Sequence, residues 1–424
     1  MKNTRFPSIL ASLSVAVLTL GIAGCGGDDN AVTHPPDAST DVGQADTIAP
    51  SADTGAMDSA TGDTGTADTG AADTGADAGP TTTLYVAALD GNQEVPPIAT
   101  TATGMGTFTL SADKKSLAYH VTQNVTGGIE AHIHIGAGGE ENGLLYPLVP
   151  FSADMTGTLS LSAMDVANLE QGLLYVNVHT NAHINGEIRG QILKPGDTLY
   201  VATLTGNQEV PAVVSAGTGD AAVILDAAKT GIKYHLKTSL TPINAHIHNA
   251  IGSISGQVVY PLMPLGSTID GSTAVTATEA GDLAAGHWYA NVHTTAHPGG
   301  EIRGQILLPG QILYTAAMSP NNEVPPAVNS PATGGAQFIL DPDKTTLHYE
   351  VVVNGVTATA VQIESGNGSM PTLVFALTLA PPGAKGTQTI GAGDVTALDA
   401  SSYYCNVLTS AFPKGAMRGT ITKQ

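Results

Sequence analysis

Apolar and polar residues alternate with a period of two along most of the chain after residue 83, which predicts short β-strands. In the first unit the alternation covers 84–88 and then Leu117, Tyr119 and Val121 beyond a turn. The further apolar runs of this unit lie at 107–110, 129–135, 144–148, 156–161, 173–180 and 187–193. About eight short strands separated by Gly- and Pro-rich turns are typical of an antiparallel sandwich or small barrel.

The same pattern occurs three times, and Leu84, Leu199 and Leu313 open equivalent units. Each unit is long enough to bury its own core, and short Pro-Gly links join successive units. We therefore predict an all-β chain of three tandem antiparallel Greek-key β-sandwich or barrel domains, each with about eight strands and one short helix. The predicted domain bounds are 81–195, 196–309 and 310–424.

The short helix of each unit is predicted from its end signals. In the first unit Ser162 and Asp165 have the spacing of a capping box, and Gly172 is placed to end the helix. Thr276 and Glu279 repeat that spacing in the second unit, again with a glycine at the far end. A helix of about two turns is expected in each case.

The N-terminus has the pattern of a secretion signal. Lys2 and Arg5 precede the apolar run 9–20, and small residues then lead to Cys25. This resembles a bacterial lipoprotein signal, so we predict removal of residues 1–24 and lipidation of Cys25. The alternatives are a plain secretory peptide and an N-terminal membrane helix. The predicted location is the cell envelope, with a lipid anchor in the outer membrane and a periplasmic or surface-exposed body.

Residues 25–80 are predicted to form a disordered tether rich in Asp, Thr, Gly and Ala. The stretch contains eleven aspartates and no lysine or arginine, with too few large apolar side chains to offset the entropy lost on folding. The whole chain has 15 basic and 36 acidic residues and a formal net charge of −21. That balance disfavours nucleic-acid binding, which needs clustered lysine and arginine to neutralise phosphates.

Histidines are the residues that could carry chemistry. Residues i and i+2 of a strand point to one face, and the first and second units each have one such His-x-His pair and a second pair further on. Imidazoles placed in this way can share a metal ion, and copper or zinc is the predicted cofactor. The predicted ligands are His132, His134, His179, His183, His246, His248, His293 and His297.

A metal-free interpretation of these histidines remains open. They could hydrogen-bond to one another and to Glu187, holding the strands together. Glu187 and Glu301 are secondary ligand candidates because each follows the second histidine pair of its unit. His120 and His235, one strand earlier, are also secondary and could equally be surface strand residues.

The third unit lacks all four histidines, and Ala416 stands where the first unit has Glu187. The residues lost together are predicted to form one functional site, with random drift as the alternative. A glutamate and an arginine remain in every unit, and we predict that they form a partly buried structural pair. The three predicted pairs are Glu94–Arg189, Glu209–Arg303 and Glu323–Arg418.

Longer motifs in the units are similar to a known family. The segments NQEVPP (92–97), EAHIHIGAGGEENG (130–143) and YVNVHTNAHINGEIRGQI (175–192) resemble the chordin-type (CHRD) domain, and NAHIHNA with YANVHTTAHPGGEIRGQI gives a second copy. The resemblance covers 84–194, 199–308 and 313–422, with the third copy degenerate. It implies an extracellular module without established catalysis.

A second resemblance is to copper–zinc superoxide dismutase, which also has an eight-stranded Greek-key barrel and a His-x-His strand. The chain departs from that family in having no possible disulfide within a domain. We expect a lipid-anchored binding or structural protein that contacts the membrane through its lipid and an extracellular protein or polysaccharide through its domains. The alternatives are a superoxide dismutase-like redox enzyme and a metal-free adhesive or envelope-structural array.

Overall fold

The computed structural model describes residues 81–141, 143–326, 329–366 and 370–424. The predicted signal peptide, Cys25 and the tether lie outside the described residues. Strands dominate the described part, and three α-helices accompany them. None of these helices combines the length and the apolar character needed to cross a membrane. The all-β class predicted from the period-two alternation is confirmed.

Domain 1 consists of two four-stranded antiparallel sheets. Its elements are β1 (Thr83–Leu89), β2 (Gly104–Leu110), β3 (Ser116–Gln123), β4 (Gly128–Ile135), β5 (Leu144–Pro147), β6 (Asp154–Ser160), α1 (Ala163–Gln171), β7 (Leu174–Thr180) and β8 (Ile188–Gln191). The first sheet has the order β1-β2-β3-β6, and the second has the order β5-β4-β7-β8. The chain therefore crosses between the sheets after β3, after β5 and after β6.

Domain 2 repeats this topology strand for strand. Its elements are β9 (Thr198–Leu204), β10 (Gly219–Leu225), β11 (Gly231–Thr238), β12 (Asn244–Asn249), β13 (Gln257–Pro261), β14 (Thr268–Ala274), α2 (Ala277–Ala284), β15 (Trp288–His293) and β16 (Ile302–Gln305). The sheets have the orders β9-β10-β11-β14 and β13-β12-β15-β16.

Domain 3 keeps the same plan and adds two short strands to its first sheet. Its elements are β17 (Ile312–Met318), β18 (Thr333–Leu340), β19 (Thr346–Asn354), β20 (Ala360–Ser365), β21 (Thr372–Leu377), β22 (Leu379–Ala380), β23 (Gly383–Thr389), α3 (Ala392–Asp399), β24 (Tyr403–Leu408), β25 (Met417–Thr420) and β26 (Thr422–Lys423). The sheets have the orders β22-β23-β19-β18-β17-β26 and β21-β20-β24-β25.

The hydrophobic core of each domain lies between its two sheets. In β3 the alternate residues Leu117, Tyr119 and Val121 are buried, while the residues between them are exposed. Strand β7 differs, because all of its residues, Leu174–Thr180, are buried. Loops therefore cover the outer face of the second sheet, and polar side chains on that face are enclosed.

The predicted helix signals are confirmed. Ser162 and Asp165 form a reciprocal capping box at the start of α1, and Gly172 ends the helix in the left-handed conformation with φ of 77°. Thr276 and Glu279 form the same box at the start of α2. These caps provide hydrogen-bond partners for the terminal N–H and C=O groups, which have none within the helix.

Successive domains are joined by packed interfaces as well as by the chain. Ala137 of domain 1 is buried in a cluster with Leu199, Ala222 and Ile224 of domain 2. Leu307, Leu313 and Ile339 form the corresponding cluster between domains 2 and 3. In both cases residues just beyond strands of the second sheet of one domain contact the first sheet of the next.

Candidate metal-binding histidine sites

Each of the first two domains brings three histidines together on the outer face of its second sheet. In domain 1 they are His132 and His134 from β4 and His179 from β7. Strands β4 and β7 pair antiparallel, and His132 and His134 share one face because they are two residues apart. One nitrogen from each ring can be chosen so that all three atoms lie within 4.8 Å of one another.

Hydrogen bonds orient the rings of the domain 1 triad. Nδ1 of His179 lies 3.0 Å from the carbonyl oxygen of Ile184, to which it donates. The donation leaves Nε2 of His179 as the unprotonated nitrogen, and this atom lies 3.2 Å from Nδ1 of His132. A backbone carbonyl that fixes the far nitrogen of an imidazole is the usual way in which proteins orient a metal-binding histidine.

The domain 2 triad has the same geometry, and backbone carbonyls orient two of its rings. Nδ1 of His293 donates to the carbonyl oxygen of Pro298 at 3.0 Å, and Nδ1 of His248 donates to that of Gly256 at 3.0 Å. Nε2 of His293 lies 3.1 Å from Nδ1 of His246. Nε2 of His248 is buried and has no hydrogen-bond partner. An unprotonated, buried nitrogen facing two other imidazole nitrogens fits a metal ion.

Burial favours the neutral form of four triad imidazoles, those of His132, His246, His248 and His293. Loss of solvation lowers the pKa of His246, His248 and His293, and repulsion between neighbouring imidazoles adds to the effect at His246 and His248. Burial lowers the pKa of His132 in the same way. Neutral imidazole is the form that binds metal, so these lowered pKa values favour metal binding.

The fourth histidine predicted in each domain is outside the cluster. His183 and His297 sit in the turns after β7 and β15, where their backbone groups bond to Thr180 and Thr294. Glu187 and Glu301 are also outside the triads. The structure therefore brings three of the four predicted histidines of each domain together, while the fourth lies in the turn beyond the strand.

The secondary carboxylates bind hydroxyl groups instead. Glu187 accepts a hydrogen bond of 2.9 Å from Thr100. Glu301 accepts one of 2.7 Å from Ser215 and another from Thr294. These bonds anchor the loop after the first strand of each domain to the second sheet.

The secondary histidines His120 and His235 are on the first sheet, away from the triads. His120 is exposed and lies 2.8 Å from Asp154. His235 lies 2.6 Å from Asp270 and 3.1 Å from Glu140 of domain 1, so it contributes to the junction between the domains. His287 and Glu350 form a similar contact of 2.9 Å between domains 2 and 3.

The arginine present in each domain donates mainly to backbone carbonyls, while its predicted partner glutamate is buried nearby. Arg189 is 1% exposed and donates to the carbonyl oxygens of Glu140 and Ala137 at 2.5 and 2.7 Å. Its guanidinium lies over the ring of Tyr175, which stacks in turn on the triad member His134. A buried guanidinium is satisfied best by a planar set of acceptors, and the loop carbonyls supply one.

Domain 2 repeats this arrangement of arginine, tyrosine and histidine. Arg303 lies 3.4 Å from the ring centre of Tyr289, whose plane is within 6° of that of His248. Sequence reasoning missed this stack. The alternation Tyr-x-Asn-x-His in β7 and β15 places the tyrosine on the triad face, and strand pairing puts it opposite His134 or His248.

Glu94 and Glu209 each accept a hydrogen bond from an asparagine, Asn177 and Asn291 respectively. Oε1 of Glu94 and Oδ1 of Asn177 are buried without hydrogen-bond partners, and both lie next to Gly186. Burial raises the pKa of Glu94 to about 8, although Arg189 and Asn177 act to lower it. Burial likewise raises the pKa of Glu209 to about 7 and that of Glu323 to about 7. Each glutamate is therefore largely protonated at moderately acid pH, and its carboxyl O–H can donate a hydrogen bond to a neighbouring oxygen.

Domain 3 has the same strands without the triad. Gln362 and Glu364 of β20 and Leu408 of β24 occupy the three positions. Glu364 is buried and accepts a hydrogen bond of 3.0 Å from Asn406. No group of three candidate ligand side chains is found among the described residues of this domain.

Comparison with known proteins identifies one family. The CHRD domain matches the chain three times, at residues 85–192, 200–306 and 314–421. The matched segments together cover more than half of the chain and coincide with the three β-sandwiches. No curated protein matches the chain.

Proposed function

Because this chain belongs to the CHRD domain family, we propose that it is a binding or structural protein whose first two domains each hold one copper or zinc ion through three histidines. The observation that supports this most strongly is the domain 2 triad. There two backbone carbonyls fix the far nitrogens of His248 and His293, and Nε2 of His248 is buried without a partner. Imidazole nitrogens are common ligands of both copper and zinc.

The proposal includes the location of the protein. The N-terminal pattern ending at Cys25 supports a lipid anchor in the cell envelope, most simply in the outer membrane. The acidic stretch 25–80 would then separate the membrane from the three domains. A partner that is an extracellular protein or polysaccharide fits this placement, and the domains would present their metal sites outside the cytoplasm.

Metal content of the full chain tests the proposal. We expect two zinc or copper ions per chain after loading and removal of excess metal. His132→Gln and His246→Gln should each remove one ion, since glutamine already stands at this position in domain 3, as Gln362. His120→Ala is the matched control, because this exposed histidine is outside both triads. Full-length chain that retains no metal would overturn the metal sites and leave a metal-free structural array.

A metal-dependent redox enzyme acting on superoxide is the second candidate. It is favoured by the number of ligands, since three protein ligands leave the fourth tetrahedral position open, as in catalytic zinc sites. Copper-loaded chain should then consume superoxide faster than the same amount of copper held by the His132→Gln/His246→Gln variant. Equal rates would exclude this candidate without affecting the metal-binding proposal.

A further inference from the structure

Glu130 distinguishes the histidine site of domain 1 from that of domain 2. Its Oε2 lies 3.6 Å from Nε2 of His132, and its side chain is 53% exposed. The other nitrogen of that ring, Nδ1, faces Nε2 of His179 at 3.2 Å. The His132 ring therefore has the candidate metal position on one side and a carboxylate on the other.

A β-bulge in β4 places Glu130 next to the ring of His132. The pairing of β4 with β7 shifts between Gly128 and Glu130, so that Ile129 is an extra residue and Glu130 is opposite His179. Such bulges redirect the side chains that follow them. Glu130 is thus the cross-strand neighbour of one triad histidine and lies two residues before another, on the same face.

Domain 2 has a neutral side chain at the equivalent position. Asn244 is opposite His293 in the pairing of β12 with β15, as Glu130 is opposite His179 in domain 1. None of the histidine–carboxylate ion pairs among the described residues involves His246. The two triads are otherwise alike, so the exchange of glutamate for asparagine is the main electrostatic difference next to them.

We propose that Glu130 is a positioning residue that makes the domain 1 site bind metal more tightly than the domain 2 site; this rests on the proposed function. A cation bound at Nδ1 of His132 makes the N–H at Nε2 a stronger donor, and an adjacent carboxylate stabilises that donor and orients the ring. Loss of such an outer partner typically weakens metal binding 10- to 100-fold. Because Glu130 is about half exposed and partly screened by salt, we expect the lower end, about tenfold.

Zinc titration of full-length variants with one intact site tests this. His246→Gln leaves only the domain 1 site, and His132→Gln leaves only the domain 2 site. We expect zinc to bind the first variant about tenfold more tightly than the second. Adding Glu130→Gln to the His246→Gln variant should weaken its zinc binding by that factor. Adding Asn244→Glu to the His132→Gln variant should strengthen its zinc binding by the same factor. Both changes are at exposed strand positions and should leave the fold intact.

Salt dependence separates this electrostatic role from a merely structural one. The advantage of the Glu130 site should shrink as the ionic strength rises, because the carboxylate is partly exposed. Equal zinc affinities at the two sites, unchanged by Glu130→Gln and Asn244→Glu, would overturn the role of Glu130 and leave the proposed function standing. Absence of zinc binding in both variants would overturn the proposed function itself.

Discussion

Domains 2 and 3 have the same sheet pairing but different chemistry on it. In domain 2, His246 is opposite Asn291 and His248 is opposite Tyr289; in domain 3, Gln362 is opposite Asn406 and Glu364 is opposite Tyr404. Every triad histidine is replaced, yet the register is unchanged. The histidines are therefore dispensable for the fold, which supports assigning them to function.

Both domains keep the arginine–tyrosine stack, which we assign to the fold. The arginine is less buried and farther from the tyrosine ring in domain 3. Arg303 is 1% exposed, donates to two loop carbonyls and lies 3.4 Å from the ring centre of Tyr289. Arg418 is less buried, donates to the carbonyl oxygen of Asn322 among the described residues, and lies 4.6 Å from the ring centre of Tyr404. The tighter stack occurs in the domain in which it supports a triad histidine.

The largest expected effect comes from removing the buried arginine. Arg303→Ala removes the side-chain donor to the carbonyl oxygen of Ile254, one of the two donors to that of Ile251, and the stack on Tyr289, and should cost about 4 kcal/mol of unfolding free energy. The single tryptophan, Trp288, is buried in domain 2, so its fluorescence reports the unfolding of that domain. Denaturant unfolding followed by this signal measures the loss.

Arg418→Ala is the matched variant in domain 3. It removes one carbonyl bond and should lower the unfolding free energy of that domain by about 1–2 kcal/mol, measured by calorimetry. The Trp288 transition should hardly move. Equal losses in the two domains would mean that the looser stack is as important as the tighter one.

The next largest effect is a pH dependence that domains 2 and 3 share. The pKa of Glu209 is raised from 4.5 to about 7, so its contribution to stability is complete below pH 4.5 and is lost as the pH rises through about 7. The loss amounts to about 3 kcal/mol. Glu209→Gln cannot ionise and should remove this loss from the Trp288 transition, measured with a chelator at pH 5 and pH 8.

The triad histidines oppose this trend in domain 2 only. Folding lowers the pKa values of these histidines. Their contribution to the unfolding free energy is therefore present above pH 6.5 and is lost as the pH falls through the lowered values. Domain 3 has Glu323, with a pKa raised to about 7, and no triad, so its stability should fall more steeply from pH 5 to pH 8. A flat profile for domain 3 would contradict the protonated state of Glu323.

Metal binding should stabilise domain 2 by slightly less than the pH-dependent loss at Glu209. Zinc at 100 times its dissociation constant should raise the unfolding free energy reported by Trp288 by about 2.7 kcal/mol. The domain 3 transition, followed by calorimetry, should not respond. His246→Gln should abolish the response of domain 2. A zinc response that persists in this variant would place the ion somewhere other than the triad.

Local sequence patterns predicted the fold and most of the triad. Period-two alternation specifies which residues of β3 face the core, and the His-x-His spacing places His132 and His134 on one face of β4. Cross-strand pairing with β7 adds His179. These features depend on neighbours along the chain or on repeated segments, which a sequence displays directly.

Features that depend on loop paths were not predictable. His183 has the spacing of a ligand, but the turn after β7 carries it outside the triad. Arg189 was expected to bind Glu94, yet its donors reach carbonyls of the loop after β4, whose path no local pattern specifies. The contact of His235 with Glu140 likewise depends on how two domains pack.

Anomalous X-ray diffraction from crystals of zinc-loaded chain, recorded on both sides of the zinc absorption edge, tests the central claim most directly. We expect one peak among His132, His134 and His179, a second among His246, His248 and His293, and none at Gln362, Glu364 and Leu408. A third peak at the domain 3 position, or peaks only away from the triads, would contradict the assignment of the histidines to metal binding.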